Sequence, residues 1–190
     1  MEMELEITAL SRSGAGLGRD TSGRVVFVPF TAPGDTVRVE IEKQEKRFAE
    51  AKLLKITKAS PIREVPPCPV FGTCGGCEWQ HLPYPLQWET KRGGVVGALE
   101  RVKVDTAGIT VEEIPAEQIW EYRNRVQLRG LKDSLGFYAR RSQTIVPIEK
   151  CYIARPELNA QLAAVKAEGA KFSREYKAEL EVFPDGEVTT

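Results

Sequence analysis

The sequence predicts an α+β protein. A small antiparallel β-barrel stands at the N-terminus, followed by a cysteine-bearing loop and a partial α/β central region. Three observations carry this reading. Residues 1–58 break into short β-branched and alternating runs separated by turn residues, as small barrels do. Three of the four cysteines, Cys68, Cys74 and Cys77, fall within ten residues of a Gly- and Pro-rich stretch. From residue 119 onward, strand-like runs share the chain with one strongly helical segment.

The elements follow in order. "MELEITAL" alternates polar and apolar residues, and "SGAGLGRDTSG" reads as a flexible loop holding Gly14, Gly16 and Gly18. "RVVFVPF" is a compact strand whose Phe27 and Phe30 are expected in the core, with Phe48 divided between core and surface. "TAPGD" is a turn, "TVRVEIEK" puts Val37, Val39 and Ile41 on one face, and "FAEAKLLKITK" closes the barrel. Residues 59–67, "ASPIREVPP", read as an extended linker between the barrel (1–58) and the remainder (68–190). Residues 86–101 carry Leu86, Val95, Val96 and Leu99 at helical spacing. Gly93, Gly94 and Gly97 weaken that helix, so packing is expected to hold it. "YRNRVQLRG" and "SLGFYARRSQTIVPI" return to strands, and 156–168 form a helix between Pro156 and Gly169. The chain closes on a strand, a Pro-Asp-Gly turn and four residues (187–190) of a returning strand. A hairpin left half built suggests a fragment of something longer.

The 190 residues are 42% hydrophobic and 28% charged, values of a globular chain. No apolar run approaches the roughly 20 residues of a membrane span. The acidic "MEMELEITAL" is no secretory signal, so a cytoplasmic location with reduced thiols is expected. The zero net charge conceals alternation: residues 1–18, 19–63, 64–118, 119–156 and 157–190 carry −2, +4, −4, +5 and −3. Each basic block is a candidate phosphate-facing surface. In the barrel, Arg19, Arg24, Lys43, Lys46, Arg47 and Phe48 supply the basic and aromatic pieces that single-strand binding needs. In the second block these are Arg123, Arg125, Arg129, Arg140 and Arg141, with Arg123, Arg125 and Arg129 on one strand face opposite Val126 and Leu128. His81, the single histidine, is expected to pack or bond locally, and Trp79, Trp88 and Trp120 are expected in the core.

The cysteine spacing is Cys68-x5-Cys74-x2-Cys77, with Cys151 far downstream. A structural zinc site commonly draws on two close pairs. Three thiolates from one loop and a fourth from elsewhere suit a 4Fe–4S cluster, with zinc as the alternative. Gly72, Gly75 and Gly76 let that loop curl and can aim amides at cluster sulfurs.

The stretch "PPCPVFGTCGGCEWQHLPYPLQWETKR" closely resembles the cluster segment of bacterial RNA (uracil-5-)-methyltransferases, the group that makes 5-methyluridine in ribosomal RNA. "GAGLGRDTSGRVVFVPFTAPGDTVRVEI" resembles their TRAM domain, an OB-like barrel. "IWEYRNRVQLRG" and "LGFYARRSQTIVPIEKC" resemble their central domain. The resemblance implies that Cys68, Cys74, Cys77 and Cys151 hold a 4Fe–4S cluster. It implies RNA, of the 23S ribosomal type, as the partner; the chain itself is expected to be a monomer. It also implies that the Tyr-Arg-x-Arg motif sets Arg123 and Arg125 near the substrate. In that family a cysteine adds to C6 of uracil and S-adenosylmethionine supplies the methyl group. Here all four cysteines go to the metal, and no Gly-rich strand-to-helix turn suits S-adenosylmethionine. No catalytic residue is therefore expected in this stretch, and S-adenosylmethionine belongs to a full-length enzyme. The other readings are a stand-alone RNA-binding iron–sulfur module and a small electron-transfer protein.

Overall fold

A computed structural model describes residues 1–105, 107–110 and 112–189. The chain divides into two compact units, Met1–Pro66 with Glu78–Pro115, and Pro67–Cys77 with Ala116–Thr190.

The first unit holds β1 (Glu2–Glu6), β2 (Ala9–Leu10), β3 (Gly16–Arg19), β4 (Val25–Val28), β5 (Thr36–Gln44), β6 (Phe48–Lys58) and α1 (Tyr84–Arg101). Its strands make one curled six-stranded sheet, ordered β1-β5-β6-β4-β3-β2. The sheet is not wholly antiparallel as expected, because β4 runs parallel to β6 through the register Val25↔Phe48 to Phe27↔Glu50. Alternation sends Leu5, Val26, Val28, Val37, Val39, Ala49 and Ala51 into the core together with Ile7. Three register shifts between β5 and β6 bend this long pair.

The loop expected over Gly14–Gly18 is in part a strand, β3. Its glycines are bare because the chain crosses others closely: a Cβ at Gly18 would come 2.9 Å from the Glu6 carbonyl oxygen. Propensity argues against a glycine strand, and this close approach overrides it.

Ser60 and Arg63 of the otherwise mostly exposed 59–67 stretch join a polar knot around Asp35. Asp35 is fully buried and accepts the amides of Ala32 (2.7 Å) and Ser60 (2.8 Å). Arg63 donates to the same carboxylate at 2.6 Å and to the Phe30 carbonyl at 3.3 Å. His81, also fully buried, donates from Nε2 to the Thr31 carbonyl at 3.1 Å.

Helix α1 begins behind Pro83, with Pro85 in its first turn. None of its residues is buried. The packing expected to offset its three glycines, at up to about 1 kcal/mol each, is limited to half-buried positions that include Leu86, Trp88, Val96 and Ala98. The tryptophans are not core residues either, since Trp79, Trp88 and Trp120 are all half-buried. Trp79 lies over Gly14, and Trp88 donates to Glu113 at 3.1 Å.

The second unit holds β7 (Arg125–Leu131), β8 (Ser134–Tyr138), β9 (Ile145–Pro147), α2 (Pro156–Gly169), β10 (Tyr176–Val182) and β11 (Val188–Thr189). Thr190, counted in the returning strand from sequence, lies outside the described residues. The sheet is ordered β11-β10-β7-β8-β9 and every pair is antiparallel, so this unit is α+β, not the expected α/β. Leu158 and Leu162 of α2 close its core over Val126, Leu128, Leu135, Leu180 and Val182. The Tyr176 ring occupies the space that side chains at Gly130 and Gly169 would fill.

Candidate nucleic-acid interface and cysteine site

In the barrel the expected RNA contacts gather at one end. Arg19 ends β3 opposite Val25, and Val25 stands opposite Phe48. Lys46 and Arg47 are exposed in the turn between β5 and β6. Arg24 is tied back, its Nε 2.9 Å from Asp20 and its Nη1 3.5 Å from the Glu45 carbonyl. The Ser22 hydroxyl and then Arg24 hold the Asp20 carboxyl well below the usual carboxylate range. Lys43 pairs with Glu45 at 3.1 Å, and Arg19 donates to the Gly23 carbonyl at 2.8 Å.

Phe27 is not in the core as expected. In β4 the buried positions are Val26 and Val28, which puts Phe27 on the outward face. There it meets Phe48 edge to face, with centroids 5.8 Å apart and planes at 87°. Phe30 is also only half-buried. Chain alternation was the signal that would have separated Phe27 from its valine neighbours. The result is a half-buried aromatic pair on the outward face, with Arg19 across from Val25 and the exposed Lys46 and Arg47 directly preceding Phe48 in the chain.

The second basic block draws on β7, the turn after β8 and the segment before β7. Arg125, Gln127 and Arg129 share the outward side of β7, with Val126 and Leu128 inward. Arg125 is engaged by Glu179, and Gln127 donates to the same carboxylate at 3.1 Å. Lys177 and then Arg125 hold the Glu179 carboxyl down to about 2. Arg129 lies over the Tyr138 ring at 5.1 Å. Arg140 sits beside the cysteine loop, its amide 3.3 Å from the Thr73 carbonyl, and Arg141 turns at φ +53°. Arg123 bridges to Ala154, three residues beyond Cys151.

The cysteines all belong to the second unit. Gly75 donates to the Tyr138 carbonyl at 2.9 Å, and Cys74 bridges to Ala139, so the loop is fastened to the end of β8. A side chain at Gly75 would come 3.0 Å from that carbonyl, and Gly72 turns at φ +85°. Cys151 is held by Asn159 of α2, which accepts the Cys151 amide at 2.7 Å and donates to its carbonyl at 3.0 Å. Asn159 was not anticipated; an asparagine facing backward from the first turn of a helix is its only sequence signal. All four cysteines are half-buried and none is in a disulfide. Burial pushes the Cys74 thiol up, the Gly76 amide draws it back, and Cys151 and Cys68 push it further. No three described His, Cys, Asp or Glu side chains converge as ligands of a single metal ion. No helix among the described residues is long and apolar enough to cross a membrane.

Residues 1–54 match the family model of the TRAM domain. Over 162 residues, 82% of this chain and 36% of the relative, the protein is 38% identical to a 23S rRNA (uracil(1939)-C(5))-methyltransferase of Shewanella amazonensis. Over 96% of this chain it is 36% identical to an uncharacterized RNA methyltransferase of Bdellovibrio bacteriovorus, covering 46% of that protein. Among solved structures it is similar to the Pyrococcus abyssi tRNA (uracil-54, C5)-methyltransferase in complex with S-adenosyl-L-homocysteine. That likeness has a TM-score of 0.64 and 29% identity, over 98% of this chain and 44% of the other. The chain thus spans less than half the length of these relatives.

Proposed function

We propose that this chain is the RNA-recognising, cluster-bearing portion of an S-adenosylmethionine-dependent RNA (uracil-5-)-methyltransferase that acts on ribosomal RNA. The carrying observation is the Phe27–Phe48 pair with its exposed basic turn, inside the stretch that matches the TRAM model. Base stacking on such a platform contributes about 1–3 kcal/mol per base, and surrounding guanidinium and ammonium groups track the backbone. The relative that methylates 23S rRNA supplies the substrate of this reading, and the S-adenosyl-L-homocysteine bound to the Pyrococcus abyssi enzyme supplies its methyl donor.

In the same reading Cys68, Cys74, Cys77 and Cys151 hold a 4Fe–4S cluster. The residues fit such a group: four half-buried thiols, three on a loop whose glycines curl tightly and Cys151 before α2, with Cys68 and Cys151 near enough for their charges to act on Cys74. When bound, the cluster would supply iron–thiolate bonds joining the loop to the segment before α2. A single zinc would instead draw the sulfurs to about 3.8 Å from one another. With all four thiols so engaged, none is left to add to uracil C6, and the part of these residues is to hold and orient RNA. The test is fluorescence anisotropy with a 23S rRNA fragment. Replacing Lys46 and Arg47 by Ser is expected to weaken binding about tenfold and flatten its salt dependence. Unchanged affinity would sink the barrel reading.

A further inference from the structure

Between the turn after β2 and helix α1, inside the first unit, lies an open groove of about 660 Å3. Arg12, Arg92 and Arg101 line it, opposed by one lining carboxylate, Glu89. Gly93, Gly94 and Gly97 form its helical wall. Their spacing puts all three on one side of α1. Glycine inside a helix is destabilising, so a bare side needs a reason. Packing supplies one at Gly94, where a Cβ would come 2.8 Å from Arg12 Cγ and Cδ. At Gly93 and Gly97 a Cβ would meet nothing within 4 Å. No described residue uses that space.

The lining identifies the visitor's chemistry. Three guanidiniums, against the single carboxylate of Glu89, beside a helix left bare at Gly93 and Gly97 suit a regular polyanion whose backbone can lie against the helix, and guanidinium forks match phosphate oxygens. The volume is that of a site for a small ligand, enough for a nucleotide or two of strand. Arg92 already has an anionic companion: its Nε lies 2.8 Å from Glu113, both side chains being 46% exposed. Trp88 donates to the same carboxylate. A half-exposed pair of this kind is weak and yields to a competing anion.

We propose that this groove receives the sugar–phosphate backbone of a single RNA strand. Arg12, Arg92 and Arg101 meet successive phosphates, and Glu113 occupies the Arg92 phosphate position until the strand arrives. The proposal rests on the reading of this chain as an RNA-binding protein, but it concerns a site separate from the Phe27–Phe48 platform.

The test uses the full chain and a fluorescein-labelled oligouridylate of about 12 nucleotides, within the span of small single-strand binding folds. Binding is followed by anisotropy across a KCl series. The double variant Gly93→Leu/Gly97→Leu fills the groove with good helix formers, and its melting temperature should not fall. Its affinity is expected to drop about tenfold, as loss of two or three phosphate contacts requires. Arg101→Ser should lower the slope of log K against log[KCl] by about 0.7, and Glu113→Gln should raise affinity about twofold to fivefold. Phe48→Ala reports separately on the barrel. Full affinity in the leucine variant with an unchanged slope in Arg101→Ser would overturn the groove. Weakening by Phe48→Ala in that case would leave the barrel reading standing. A parent chain that binds no oligouridylate removes both. Tighter binding of polyglutamate than of oligouridylate, abolished by the leucine pair, would make the occupant an acidic peptide and overturn the proposal.

Discussion

His81 and Tyr176 each carry a consequence that burial alone dictates. His81 is fully inside, its Nε2 donating to Thr31, and desolvation holds its pKa down to about 4 against an ordinary 6.5. Arg63 nearby lowers it further, while the Thr31 bond and Asp35 pull the other way. The folded state therefore keeps the ring neutral at pH values where the unfolded chain binds a proton. Stability from this group is complete above pH 6.5 and is lost as pH falls toward 4, up to about 3 kcal/mol. The lowered carboxyl of Glu179 titrates in a separate window, below the ordinary value of 4.5. Thermal melts between pH 7 and pH 4.5 should show the first unit losing stability, and His81→Gln should flatten that loss. Tyr176 is a different case, since its hydroxyl is buried with no hydrogen-bond partner among the described residues. Removing an unsatisfied buried hydroxyl spares its desolvation cost, so Tyr176→Phe should stabilise by about 1 kcal/mol. A loss of stability would mean the hydroxyl has a bonded role.

At the scale of elements, the strands were legible where alternation ran long. "TVRVEIEK" and "FAEAKLLKITK" announced β5 and β6 because Val37, Val39, Ala49 and Ala51 recur at period two. β3 was not legible, because its glycines answer to a close approach of Glu6 that no local pattern records. The parallel pairing of β4 with β6 is equally a tertiary fact. In the candidate site the basic residues could be read from composition, but their engagement could not. Arg125 looks like an RNA contact in sequence, and cross-strand register puts it opposite Glu181 with Glu179 one step away. Its guanidinium pKa is raised, first through the hydrogen bond to Glu179. Withdrawing it from that carboxylate to reach RNA would cost part of what RNA returns. Arg125→Gln should accordingly change RNA affinity less than about twofold, while the Lys46/Arg47 change costs about tenfold. Equal losses at the two places would restore Arg125 to the interface.

In the proposed reading the barrel meets RNA and the second unit holds the cluster, and this division gives the cluster proposal its sharpest physical test. The barrel core is built from Leu5, Ile7, Val26, Val28, Val37, Val39, Ala49 and Ala51, with no cysteine among them. All four cysteines fall in the second unit, where Cys151 packs against the core formed by Leu128, Leu158 and Leu180. A cluster joining residues 68–77 to Cys151 would close a long loop of the unfolded chain, and long loops gain most from such closure. Metal binding to a site that forms only on folding is then folding free energy for that unit. Anaerobically purified protein should hold about four irons and four sulfides and melt in two steps. Chelating the iron, or replacing Cys151 by Ser, should lower one transition and leave the other, that of the barrel, in place. Asn159→Ala, which unfastens the Cys151 backbone, should speed iron loss without altering the four thiols. One zinc per chain in place of iron would keep the four ligands and reject the cluster. A metal-free protein whose two transitions both survive Cys151→Ser would reject a metal site altogether.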